Sequence, residues 1–198
     1  SKIEAAIAGK YIDESDNKGK RTRETSKHSE SAKKRESLKN SDNAASHKNI
    51  EVIPYNFANL QQIPMGTDVF MDAKTTKIIK AYIKAVIGTE APVQHDLLCK
   101  RVLKSLNISR MTPKIAVRMQ EIIESINPKT TKDIKNIYWM DSQDPQNYPY
   151  IRETAERDSL QIPFIEAKNA SVYVLNEQGA QPLESLVKEM AKLFGYSR

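Results

Sequence analysis

Cations set at a regular interval carry the first chemical signal in this sequence. Arg110, Lys114 and Arg118 are spaced by four, so a helix would hold all three on one side. At the start of the second helix of a helix-turn-helix, such a side would meet the major groove of a duplex. Lys129, Lys132 and Lys135 follow at intervals of three, in a stretch that reads as a β-hairpin, where they would track backbone phosphates. The same residues would serve a protein-interaction module as an ordinary solvated basic face, so both readings stay open. Base-reading amides are scarce beyond Gln120, which predicts weak sequence preference.

Catalytic chemistry is poorly supplied. Cys99 is the one cysteine, which excludes an intramolecular disulfide and a multi-cysteine zinc site. It lies in a helical stretch beside the apolar stripe and reads as a small buried hydrophobe rather than a nucleophile. His95 has no partner motif and reads as a surface or capping residue. Trp139 reads as a hydrophobic plug under the hairpin rather than a base-stacking platform. There is no G-x-x-x-x-G-K-[ST] phosphate loop, no acidic Walker B strand, and no cluster of acids with a lysine that fits a metal-dependent nuclease. The chain is therefore expected to be non-enzymatic, without cofactor or metal.

Three amphipathic stretches must position these cations. Lys74–Ile87 puts Ile78, Ile79, Tyr82, Ile83, Val86 and Ile87 on one stripe, with Lys77, Lys80 and Lys84 away from it. Gly88 is expected to end that helix, and Pro92 to fall in the first turn of the next, whose core stripe is Leu98, Val102 and Leu106. Asn107 suits a left-handed turn. Thr112 can cap a third helix with Pro113 at its first position, burying Ile115, Met119, Ile122, Ile123 and Ile126 until Pro128 stops it. Lys129–Ile134 and Ile137–Met140 then read as hairpin strands with Asp133–Asn136 at the tip. The predicted fold is mainly α: a winged helix-turn-helix with a small β-hairpin wing, followed by a second, incomplete helix-turn-helix unit.

Composition divides the 198 residues further. The chain carries a net charge of +6, with 39% hydrophobic and 28% charged residues. Between Asp13 and Asn49 there are ten Lys/Arg, seven Asp/Glu and a single large apolar residue, Leu38, too little to offset ordering entropy. The expected organisation is the end of an upstream helix at 1–12, a disordered linker at 13–50, a lead-in and winged-helix domain at 51–140, and a linker with a partial second unit at 141–198. Lys74–Met140 holds thirteen cations against five acids, a net of +8, while Asp141–Arg198 holds six against nine, a net of −3. Basic charge is thus concentrated in one folded unit, which favours an anionic partner. No apolar run approaches the ~18 residues of a membrane span. A single cysteine fits a reducing compartment, so a cytoplasmic location is expected. A start at Ser1 without Met is expected of a piece of a longer chain.

The chain also repeats itself at an offset of 88. Leu98/Leu186, Lys100/Lys188, Lys104/Lys192, Ser109/Ser197 and Arg110/Arg198 are identical pairs, five of the thirteen positions from 98 to 110. A second helix pair is expected near Pro163–Asn176 and Pro182–Phe194, joined through Gly179. It would lack a counterpart of the third helix and leave an apolar face for the first unit or another chain to cover.

A family resemblance rests on Pro54-Tyr55-Asn56-Phe57-Ala58-Asn59-Leu60, on Glu90-Ala91-Pro92-Val93-Gln94-His95-Asp96-Leu97-Leu98, and on Arg101-Val102 and Ile108-Ser109-Arg110. These runs resemble an uncharacterised C-terminal domain appended to large bacterial superfamily I helicases of the Upf/Nam type. That pattern is Y-x-x-A-x-L, then E-x-P-V-H-x-x-L-x-x-R-V, then G-I-x-R; this chain departs at Gln94 and Asn107. Ile162-Pro163 and Leu193-Phe194-Gly195-Tyr196 resemble a further copy. The resemblance implies an accessory DNA-binding module for repair or defence, whose partners are duplex or junction DNA and the helicase and restriction-type nuclease domains of the same polypeptide. The alternative is a protein-interaction or dimerisation module of that polypeptide.

Overall fold

The apolar spacing between 74 and 126 becomes three helices around one core. The structure, a computed structural model, describes residues 49–196. The expected helix end at 1–12 and nearly all of the expected linker at 13–50 lie outside the described residues, as do Ser197 and Arg198. The elements are β1 (Glu51–Pro54), α1 (Thr67–Met71), α2 (Thr76–Glu90), β2 (Val93–Gln94), α3 (His95–Ser105), α4 (Pro113–Ile126), β3 (Lys129–Lys132), β4 (Asn136–Trp139), β5 (Tyr150–Glu153), α5 (Phe164–Gln178) and α6 (Leu183–Leu193). The chain is mainly α, with a three-stranded antiparallel sheet ordered β2-β4-β3 and a separate parallel pair, β1 with β5.

Local chemistry fixes most of the helix ends. Thr112 caps α4 by accepting from the Ile115 amide, Pro113 opens it, and Asn127 closes it in the left-handed region at φ 53°. Asn107 takes φ 56° after α3. Leu98, Val102, Leu106 and Met119 are fully buried, with Ile79, Ile83 and Val86 from α2 in the same cluster. Two expected ends are corrected. Gly88 does not stop α2, which runs on to Glu90; the glycine faces open space, so its cost of ~1 kcal/mol is borne without a break. Glu90 anchors that last turn from a fully buried position. Pro92 is not in a helical turn either. It precedes β2, where Val93 and Gln94 pair with Tyr138 and Ile137, and α3 starts only at His95, capped by the Gln94 side chain accepting from the Asp96 amide.

Three polar residues of the quoted runs, Tyr55, Glu90 and Arg101, meet in one knot. The Tyr55 hydroxyl donates to Glu90 Oε2 at 3.0 Å, and the Ala58 amide and Arg101 Nε donate to Glu90 Oε1 at 3.0 and 2.9 Å. Arg101 Nη2 also donates to the Ala58 carbonyl. The motif therefore staples the lead-in to α2 and α3, satisfying a carboxylate that burial would otherwise penalise.

The offset of 88 recurs in the geometry. α2 and α5 coincide at both ends when shifted by 88, and so do α3 and α6. Leu106 and Phe194 share φ near −90° and ψ near 6°, followed by left-handed Asn107 and Gly195. The closing hydrogen bonds match too: Ile108 N to Leu103 O in the first pair, Tyr196 N to Ala191 O in the second. One helix-helix-turn plan is thus used twice.

Candidate nucleic-acid interface

The six expected cations do not share one fate. Arg110 is exposed but lies in the turn before α4, because Thr112 caps the helix and Pro113 starts it three residues later. The expected helical row of three is therefore corrected to an exposed turn residue, an exposed first-turn residue, Lys114, and a half-buried Arg118. Arg118 Nη2 donates to Thr76 Oγ1 at 2.6 Å and to the Asp72 carbonyl at 3.4 Å, so it bridges α4 to the start of α2. Its Nε is buried and has no protein partner. Lys129 is exposed at the base of the hairpin and donates to the Gln143 carbonyl. Lys132 is exposed at the end of β3. Lys135, in the hairpin turn, pairs with Asp96 at 3.7 Å; both side chains are about half exposed, so the pair contributes at most ~1 kcal/mol.

Sequence reasoning missed a second set. Lys74, Lys77, Lys80 and Lys84 line an open groove of about 500 Å³ along α2, with Ala73, Thr76 and Ala81 and no acidic side chain. Among the described residues none of these lysines makes a recorded ion pair. Thr76 lines this groove and also receives Arg118, so a fifth cation stands at its edge, with Lys114 one turn away on α4. The signal is legible: 74, 77, 80 and 84 recur at helical spacing, but amphipathic pattern alone assigns Lys77, Lys80 and Lys84 only to the polar side of a core helix. On α3, Lys100 and Lys104 line a further groove of about 660 Å³ with Asp96, Leu103, Asn107, Ile108, Ser109 and Met111, adjoining Arg110.

The aromatic and nucleophilic candidates are structural. Trp139 is 3% exposed, donates Nε1 to Thr131 Oγ1 at 2.8 Å and meets Tyr148 edge-on. Cys99 is fully buried, and burial pushes its thiol up to about 12, assisted by the Asp96 charge. His95 is not a bare surface residue: Nδ1 lies 2.9 Å from the Tyr138 hydroxyl and Nε2 3.5 Å from Cys99 Sγ. Burial lowers its pKa below 6.5, partly opposed by Asp96 and reinforced by Lys135. A base held neutral in the fold is protonated first in the unfolded chain. Stability is therefore complete above pH ~6.5 and falls as pH drops through that value towards the lower folded pKa. Thermal melts between pH 7.5 and 5 should show this decline in the native protein and a flatter profile in His95→Gln; parallel profiles would remove His95 as the cause.

Among the described residues no helix is long and apolar enough to cross a membrane, and no group of three or more His, Cys, Asp or Glu could hold a metal ion. Residues 68–116, from α1 to the first turn of α4, match a family described as a protein of unknown function, DUF3320. No curated protein and no solved structure matches the chain.

Proposed function

We propose that residues 51–140 act as a winged-helix DNA-binding module, non-catalytic in itself, within a cytoplasmic superfamily I helicase of repair or defence. In this reading α3, the following turn and α4 form the helix-turn-helix, and β3 with β4 forms the wing. The observation that carries it is the groove lined by Lys74, just before α2, and by Lys77, Lys80 and Lys84 on it, with no acid in its lining and with Arg118 and Lys114 continuing it. Phosphate neutralisation is the chemistry such a surface serves best. The docking surface is accordingly wider than the start of α4: it takes in the α2 groove, the turn with Arg110, and the hairpin cations Lys132 and Lys135. Backbone contacts of this kind position a duplex without reading bases.

The test is direct. At low ionic strength the full 198-residue chain should bind blunt duplex and forked DNA of unrelated sequences with affinities within about threefold of one another. Undetectable binding to duplex, single-stranded and forked DNA would overturn the proposal. The alternative, a protein-interaction module, is favoured by a different observation: α6 buries none of its residues despite a strongly one-sided apolar pattern.

A further inference from the structure

Three exposed apolar side chains from separate elements meet beside the hairpin cations. Ile134 stands at the tip of the β3–β4 hairpin and Phe164 opens α5; at 72% and 71% they are the most exposed large hydrophobics among the described residues. Leu160, in the short helical turn Ser159–Gln161, is 61% exposed. All three line one small cleft, together with Lys135. Hydrophobic side chains scattered singly over a surface are ordinary; three that converge from a hairpin tip, a turn and a helix start form a patch.

The patch is braced from below. The Asp133 amide donates to the Lys135 carbonyl at 3.0 Å and closes the tip, while the Asp133 carboxylate accepts from the Phe164 amide at 2.7 Å and ties that tip to α5. Asp158 and Gln161 form a reciprocal capping box around the turn that carries Leu160. An apolar surface already held in place loses little freedom when it is covered. Its border is cationic: Lys132 and Lys135 flank Ile134 in the chain, and both are exposed. The acid of the tip, Asp133, is engaged by the N-terminus of α5, whose dipole favours it there.

A duplex offers one broad apolar surface that is not already stacked, the outer face of its last base pair. Within the duplex each base is covered by its neighbours, and parting an intact step costs more than the roughly tenfold in affinity that burying one aliphatic side chain returns. We propose that Ile134, Leu160 and Phe164 cover the terminal base pair of a duplex, at a blunt end or at a fork, with Lys132 beside the phosphates that flank it. Phe164 supplies a ring that stacks on a base whatever its identity, and Ile134 is the aliphatic wedge. The inference rests on the DNA-binding reading and adds to it a preference for duplex ends: the α2 groove serves any duplex, and the patch selects the end.

The probes are three DNA forms of one sequence: a blunt duplex, a fork, and a duplex whose two ends are closed by loops. The full chain should bind the two open forms about tenfold more tightly than the closed one. Ile134→Ser and Phe164→Ser, each alone, should weaken binding to the open forms by about fivefold and leave the closed form unaffected. Neither should change the slope of log K against log salt, because no phosphate contact is lost. Both positions are exposed, so melting temperatures should match the native chain. A 2-aminopurine base in the terminal pair should change its fluorescence on binding, and one at the centre of the duplex should not. Salt-dependent binding that is equal for open and closed forms, or that neither substitution moves, overturns the inference and leaves the DNA reading standing. Undetectable binding to all three forms overturns both. Concentration-dependent self-association that Ile134→Ser abolishes and DNA does not disturb overturns the inference too, since the patch would then join two copies.

Discussion

Replacing Glu166 by Gln is expected to remove about 3–5 kcal/mol of folding stability, the cost of stranding a buried charge. Glu166 is fully buried at the start of α5 and is the anion for two guanidiniums. Arg152 reaches Oε1 from Nε at 3.2 Å and from Nη2 at 2.5 Å, and the Arg152 amide donates to Oε2 at 3.1 Å. Arg157 donates to both carboxylate oxygens at 3.1 Å. Burial alone would raise the carboxyl's pKa; the two guanidiniums and their hydrogen bonds outweigh it and hold the group below its usual 4.5. The cluster also joins the two halves of the fold. Arg152 donates at 2.6 Å to the carbonyls of Glu90 and Pro92, at the end of α2 and before β2. Both guanidiniums lie within 5 Å of the Tyr55 ring centre, at 4.8 Å for Arg152 and 4.5 Å for Arg157. Glu166→Gln leaves this positive pair without its counter-charge. Adding Arg157→Met should recover part of the loss, since it removes one stranded charge and the partnerless Arg157 Nε with it. A folded pKa held below the unfolded value means the contribution is complete above pH ~4.5 and lost as pH falls through the folded value. Urea titrations at pH 7 are the measurement. A loss under about 1 kcal/mol would mean that water reaches the cluster.

These buried ions were not legible in the sequence, whereas the helices were. Ile79, Ile83, Leu98, Val102, Met119 and Ile122 fall on helical periods, and Thr112, Pro113 and Asn127 are capping types whose preferences are local. Arg152, Arg157 and Glu166 carry no such pattern. Their roles depend on β5 lying beside β1, a parallel pairing across about a hundred residues that no local rule predicts. For the same reason β2 passed unread: Val93 and Gln94 are a strand only because Ile137 and Tyr138 lie opposite. The candidate site divides likewise. Lys114 and Lys132 stand exposed, as helix and hairpin patterns place them. The half-buried position of Arg118 was not legible, because spacing gives a helix face but not the neighbour that the face meets, here Thr76 at the start of α2. The α2 lysines were in view as the polar side of an amphipathic helix. What gave them meaning was the groove they share and the absence of acids from it.

If that groove carries DNA, raising salt from 50 to 200 mM should weaken binding roughly 500-fold, which corresponds to about five phosphates neutralised and a slope of log K against log salt near −4.5. The triple variant Lys77→Ala, Lys80→Ala, Lys84→Ala should flatten that slope by about 2.7 and weaken every DNA form alike. All three side chains lie on the outer side of α2, away from Ile79, Ile83 and Val86, so melting should be unchanged. Lys114→Ala should flatten the slope by about 0.9, as a single phosphate contact does. Lys188→Ala with Lys192→Ala should do little, because both lie in the acidic half and Lys192 is paired with Glu189 at 2.7 Å. The pattern across the three variants matters more than any single affinity. A full slope retained by the α2 variant, with the loss confined to Lys114, would return the interface to the start of α4. Equal flattening by the Lys188 and Lys192 changes would reduce the interaction to net charge. A graded loss led by α2 assigns the backbone contact to the helix that also contributes Ile79, Ile83 and Val86 to the core.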